Sequence, residues 1–336
     1  MRKNMKRKTN VKSSIMVLLL IAILLIASTY AWFTSNRTVT ISTLDVNVGA
    51  STGIQISVDG ISWKTIITND DILGATTTYS SAVNVIPASL APVSTDGQYM
   101  NNRLRMFFGN VMAATAEQAA ASNGAFAEGD YVLTASDESA TPQHYVAFDI
   151  FLKVDQAETI YLTRTSDVKA SGTDKGIKNA SRVAFCNLGN VGTDATVEAI
   201  QAISSGGTGQ QAFIWEPNYD VHTQAGANAA SSIYGTTTAL TGGSQLSYYA
   251  LKASITNPVV LNSHDTNYFT SLTSAEVTGS VAGRTDASDL IEVMSLPAGV
   301  TKMRVYLWVE GQDVDCENTA SGTNLKLDIA FTIDNQ

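Results

Sequence analysis

Histidine is scarce in this chain. His144, His222 and His264 are the only three among 336 residues, and no two of them stand at metal-ligand spacing. There is no H-E-x-x-H and no G-x-S-x-G elbow, so the common zinc-hydrolase and serine-hydrolase layouts are excluded. Gly206-Gly207-Thr208-Gly209 lacks the Lys-Ser or Lys-Thr that closes a phosphate-binding loop and reads as a plain loop. Charge is sparse as well: 15% of residues are Asp, Glu, Lys or Arg, against about 25% in a typical soluble domain. Polarity comes from Thr, Ser, Asn, Gln and Gly instead, which suits exposed β-structure and loops. Cysteine is limited to Cys186 and Cys316, each at the end of a β-like run. Two readings stay open for them: a disulfide, which export would permit, or two separate buried thiols.

What is present begins with a leader. Arg2, Lys3, Lys6, Arg7, Lys8 and Lys12 precede an unbroken apolar run from Ile15 to Ala27, followed by Ser28-Thr29-Tyr30-Ala31-Trp32-Phe33. A basic start, a short apolar core and a small-residue exit form an export signal. The core is short against the roughly 20 apolar residues of a stable membrane span. Cleavage is expected after Ala31, with Thr29 and Ala31 as the small flanking residues and Trp32 as the new N-terminus. A retained N-terminal anchor is the other reading. Residues 1–31 carry six basic side chains and no acid, so the remainder has a net charge of −15. Such a chain repels nucleic-acid phosphates.

The body reads as β-structure. Val39 and Ile41 share one parity; Leu44, Val46 and Val48 share the other, so a bulge or bend is expected near Thr43. Ile54, Ile56 and Val58, then Asp59-Gly60, then Ile61, Trp63 and Thr65 predict a hairpin. Further alternating runs cover 146–154, 183–185, 213–215, 249–255, 303–309 and 325–333. The series predicts a mainly β chain: a jelly-roll-like β-sandwich with a few short helices and long loops, preceded by the signal helix. Helices are expected over the Ala-rich 110–121 and over 193–203, where Val197, Ile200 and Ile203 keep helical spacing. The segments 205–211 and 225–245 read as long loops. No repeat of 20–50 residues is visible. The organisation expected is a signal at 1–31, a leading strand at 32–48 and one body at 49–336.

Two residue groups carry chemistry. Asp313, Asp315 and Glu317 alternate and would project to one side of an extended chain, a candidate calcium site, although the spacing and glycine of an EF-hand are missing. The bland alternative is a solvated loop between the last two strands. Trp63, Trp215 and Trp308 lie in strand-like runs, where they either fill the core or present a sugar-binding face.

The segment TYAWFTSNRTVTISTLDVNV, residues 29–48, resembles the export-signal exit and first strand of the TasA/camelysin family of Gram-positive bacterial matrix proteins. Thr29, Ala31 and Phe33 match the family's T-x-A-x-F exit, and Thr43-Leu44-Asp45 matches its T-L-D at the same distance. The resemblance implies removal of the signal by a dedicated signal peptidase of the SipW type. It implies a jelly-roll subunit of extracellular biofilm fibres, joined head to tail as the leading strand of one subunit completes the sheet of the next. On this reading Val39, Ile41, Leu44, Val46 and Val48 form the assembly strand and the main partner is a second copy of the chain. The function expected is therefore a secreted or cell-surface structural subunit, not an enzyme, with no cofactor beyond the candidate calcium. A monomeric surface adhesin or carbohydrate-binding sandwich, with matrix glycans as partners, is the alternative. A secreted metallopeptidase-like hydrolase, suggested only by the camelysin name, is a minor one, since no metal-ligand motif supports it.

Overall fold

The computed structural model describes residues 45–51, 53–205, 210–261, 263–274, 290–317 and 324–333. The signal exit Thr29, Ala31 and Trp32, the expected bend at Thr43, and Val39, Ile41 and Leu44 of the leading strand lie outside the described residues. What is described is mainly β, with several sheets and a few short helices.

Two six-stranded sheets share one apolar core. In the first, the order is Ile291–Leu296, Glu158–Leu162, Asn324–Thr332, Asp45–Ala50, Ile66–Thr68, and Asp167–Ser171 also pairs with Asn324–Thr332. In the second, Phe213–Trp215, Ser181–Val191, Gly299–Val309, Val146–Val154 and Gln55–Ser57 follow one another, and Asn84–Val85 joins Val146–Val154. Alternation explains the first sheet: Leu325, Leu327, Ile329 and Phe331 enter the core while Lys326 and Asp328 face outward. The second sheet is covered on both faces. Met303, Val305, Leu307 and Val309 meet the shared core, while Tyr306 and Trp308 pack with Tyr99, Leu104, Met106 and Ile214 on the far side. That double cover buries every residue of Gly299–Val309, Lys302 and Arg304 included. Asp149 on the adjacent strand answers them, at 2.6 Å from Arg304 Nε and 3.3 Å from Lys302 Nζ. A smaller sheet of Ile255–Val260, Tyr131–Asp137, Phe107–Ala113 and Val93–Ser94 flanks this body.

Three local expectations are corrected. The helix expected over 110–121 is confined to Ala116–Ala121; Asn110 to Ala113 pair in register with Thr134 to Tyr131 as strand. Sheet pairing overrides alanine's propensity there, and the helix starts only where Thr115 and Gln118 form a reciprocal cap. The helix expected over 193–203 shrinks to Val197–Gln201 behind Thr196, whose hydroxyl accepts from Ala199 N. The 225–245 loop instead contains the helix Gln224–Ala229 and a further turn, Ala230–Tyr234.

The Asp59-Gly60 hairpin is cut to a single rung, Ile56 with Lys64. Asp59 Oδ1 accepts from Ile61 N and Ser62 N at 2.8 and 2.9 Å, and Gly60 has φ +73°. An added Cβ at Gly60 would meet Ile200 Cγ2 at 2.7 Å, so the turn is shaped for glycine on two counts. Beyond Lys64 the chain leaves its partner, and Ile66–Thr68 crosses to the first sheet to pair with Asp45–Ala50.

Candidate functional site

Two features stand out from ordinary β-packing: the seat of the leading strand and a buried acidic cluster.

Asp45–Ala50 lies between two neighbours. It runs parallel to Asn324–Thr332, with Val46 opposite Leu327 and Val48 opposite Ile329, and antiparallel to Ile66–Thr68. All the other strand pairs described are antiparallel. Val46 and Val48 are fully buried in the shared core. The described part of the expected assembly strand is thus seated in a sheet of its own chain. Its downstream end stays on the same neighbour, Ser51 N donating to Phe331 O at 3.0 Å, and then turns, Ile54 N donating to Ser51 O at 3.2 Å. No hairpin made by its own upstream neighbour is needed to hold it: both partners come from later in the chain.

The second feature surrounds Arg182, near the start of the strand Ser181–Val191. Its Nη2 lies 2.9 Å from Glu216 Oε1 and also contacts Asp313 Oδ2, while Nε donates to Ser274 Oγ at 3.0 Å. The Tyr248 ring lies 5.3 Å from the guanidinium carbon. Beside this group, His222 Nδ1 sits 2.8 Å from Asp315 Oδ2. Asp315 Oδ1 accepts from Thr223 N at 2.7 Å. A Cβ on Gly226 would fall 2.1 Å from that oxygen, so the close approach requires glycine. Glu317 Oε1 accepts from Thr223 Oγ1 at 2.8 Å. Glu310 accepts from Trp308 Nε1 at 3.0 Å and from Gln312 N at 3.1 Å.

The electrostatics follow from burial. Removal from water disfavours the Arg182 charge, but Glu216 and Asp313 outweigh that and hold it protonated. Burial pushes Glu216 up to about 8; Arg182 pulls it down only in part, and Asp313 adds to the rise. Burial likewise lifts Glu310 to about 7. It also works against a charged His222, yet the hydrogen bond and charge of Asp315 prevail and keep the ring above the ordinary histidine value.

The three acids read from the sequence as a calcium candidate are therefore taken up by protein groups: Asp313 by Arg182, Asp315 by His222 and Thr223, and Glu317 by Thr223. Among the described residues no group of three or more His, Cys, Asp or Glu side chains is gathered in a metal-holding arrangement. Segment 310–317 is a chain of tight turns rather than an extended strand, with Asp313 N donating to Glu310 O and Cys316 N to Asp313 O. Alternation along it does not aim side chains to one side.

The remaining candidates resolve singly. Cys186 and Cys316 are unbonded thiols buried in separate apolar clusters, so the disulfide reading gives way to the buried-thiol one. Burial raises both thiols well above their ordinary value. Trp215 and Trp308 are wholly buried, which assigns them to packing; Trp63 is half-buried, with Lys153 Nζ 5.7 Å from its ring. His144 pairs with Glu138 at 2.8 Å and stacks on Phe108, while His264 stacks on Tyr249 at 3.7 Å. Arg182 and Glu216 were not picked out by sequence reading, and His222 was noted there only as lacking metal-ligand spacing, whereas it is buried. The available signal was a charge inside an apolar run: Arg182 precedes Val183-Ala184-Phe185, and Glu216 follows Phe213-Ile214-Trp215.

Open hollows are modest. One of about 380 Å³ is lined by Glu158, Thr159, Tyr161, Ser295, Leu296 and others; another of about 230 Å³ lies beside Asp59, Lys64, Asp70 and Asp71. Neither wall carries a histidine or cysteine. No helix among the described residues is long and apolar enough to cross a membrane. Comparison with known proteins found no matching family model, no matching curated protein and no matching solved structure.

Proposed function

We propose that the chain is a secreted structural subunit of extracellular fibres or matrix, a jelly-roll-like sandwich that assembles head to tail through its N-terminal strand. The observation that supports this most directly is the seat of Asp45–Ala50. It is an interior position of a sheet, filled by the leading end of the chain, between strands that both come later in sequence. The same backbone pairing and the same pockets for Val46 and Val48 serve equally well for that strand from another copy. Exchange of an identical element costs little, and when it runs head to tail without closing it builds a filament. The leader at 1–31 and the resemblance of residues 29–48 to a matrix-protein family supply the secretion and fibre parts of the reading.

Electron microscopy of purified protein beginning at Trp32, beside a variant lacking residues 32–48, tests the proposal. Filaments are expected from the first and not from the second. Filaments unchanged by the deletion, or none from the intact protein under any condition tried, would defeat it. Mass spectrometry of the exported N-terminus checks the start at Trp32. An adhesin or glycan-binding role gains no particular support, because Trp215 and Trp308 are spent on the core.

A further inference from the structure

A structural subunit has no evident need for a buried cluster richer in acids than in cations. Glu216, Glu310, Asp313 and Asp315 are each less than a tenth exposed, as are Arg182 and His222. Arg182 Nη2 is shared between Glu216 and Asp313, and His222 pairs with Asp315. Glu310 takes its hydrogen bonds from neutral donors, Trp308 Nε1 and Gln312 N. Four carboxylates thus face at most two positive charges in a space withdrawn from water. An uncompensated charge in such a place is expensive, so the surplus acids hold protons instead. One guanidinium nitrogen between two carboxylates, Glu216 and Asp313, supplies one positive charge for both.

We propose that this cluster is a pH-sensitive latch. While its surplus acids are protonated it clamps the turns at 216–223 and 310–317 to the strand end at Arg182; when mildly alkaline conditions remove those protons, the turns let go. The groups that bear on Glu216 come from several elements: Arg182 from its strand, Asp313 from the 310–317 turn, His222 from the turn that follows Glu216, and Gln245 and Tyr248 from the segment 245–248; Glu310 faces Arg182, Tyr248, Ser94 and Trp308. The elevated values of Glu216 and Glu310 agree with this geometry. Both folded-state values lie above the ordinary one, so each contributes most below its ordinary range and loses that contribution as pH climbs through the raised value. His222, also raised, loses its pairing contribution in the same direction. The inference does not depend on filament assembly. It does bear on it: the 310–317 turn precedes the strand Asn324–Thr332, on which Asp45–Ala50 is seated.

Hydrogen–deuterium exchange on the exported chain, corrected for the intrinsic pH effect, reads the latch directly. Protection in peptides covering 210–223 and 305–317 is expected to fall by about tenfold or more between about pH 6 and about pH 9, while Val146–Val154 stays protected. In Glu216→Gln with Glu310→Gln the fall moves up by about one pH unit or disappears. Because that double variant removes hydrogen bonds, Glu310→Gln alone provides a second reading. Isotope-edited infrared spectroscopy of the unaltered protein provides a third, through a protonated carboxyl band at neutral pH that vanishes on the same curve. A flat wild-type protection profile, variants that follow the wild-type curve, or no protonated carboxyl at neutral pH would each overturn the proposal.

Discussion

Val48 faces Ile329 across a parallel rung, and both side chains are sealed in the core between the two large sheets. The two residues are far apart in the chain, one at its leading end and the other near its close, yet they share one pocket. This makes the leading strand part of the core rather than an appendage. Val48→Ala removes the equivalent of two methylenes and leaves a cavity, at a cost of about 2 kcal/mol. Val48→Asp leaves an unpaired charge in the same place and is expected to prevent folding or cost about 4 kcal/mol or more. Urea denaturation followed by tryptophan fluorescence measures both. A Val48→Asp variant as stable as the parent would mean that this strand does not occupy the described seat.

Arg182 serves two carboxylates at once, so its loss is expected to cost more than an ordinary substitution. Arg182→Met keeps the apolar stem and deletes the charge, leaving Glu216 and Asp313 facing each other unscreened. Breaking a buried pair in this way costs about 3–5 kcal/mol. The deficit has a sign in pH. Without the guanidinium Glu216 rises further above its ordinary value, so the deficit is smallest near about pH 5, where Glu216 is protonated with or without Arg182, and grows as pH climbs to about 8 and beyond. Unfolding curves at the two pH values are the measurement. A deficit equal at both would show that charge is not what Arg182 contributes.

The strands were legible where burial is one-sided. Leu325, Leu327, Ile329 and Phe331 announce their strand because Lys326 and Asp328 face away from the core. Gly299–Val309 was legible as a strand but not as a doubly covered one, since Arg304, Tyr306 and Trp308 look like a solvent face until Asp149 and a second apolar cluster come to meet them. Asn110 to Ala113 misled because local propensity lost to pairing with Tyr131 to Thr134, a partner that propensity cannot see. The acids at 313, 315 and 317 were noticed, but their roles were not. Alternation gives a common direction only in extended chain, and this segment turns repeatedly. Their partners Arg182, His222 and Thr223 lie about 90 or more residues away in sequence, a distance that spacing arguments do not bridge.

Cys186 and Cys316 give a simple chemical check on the packing. Both are buried and unbonded, and burial keeps both in the unreactive thiol form. Native protein is expected to leave iodoacetamide unreacted over hours, whereas protein in concentrated denaturant takes up two equivalents without prior reduction. Two equivalents appearing only after a reducing agent would place a disulfide where the structure has none.

The register of the leading strand offers the sharpest separation between a strand kept at home and one given away. Asn47 and Asp328 are partners in the parallel pair and lie on its half-buried face, with Asn47 Nδ2 3.4 Å from Asp328 Oδ1. Neighbouring strands run about 4.8 Å apart, within the Cα separation that a disulfide spans. Asn47→Cys combined with Asp328→Cys should therefore cross-link under mild oxidation without disturbing the core. In dilute monomer the bond is expected within one chain, and the protein stays at monomer mass on a non-reducing gel. In preformed filaments oxidised afterwards, donation predicts bonds between chains and a ladder of covalent oligomers. Filaments that dissolve in detergent to internally bonded monomers would mean that each subunit keeps its own strand and that assembly uses a different surface.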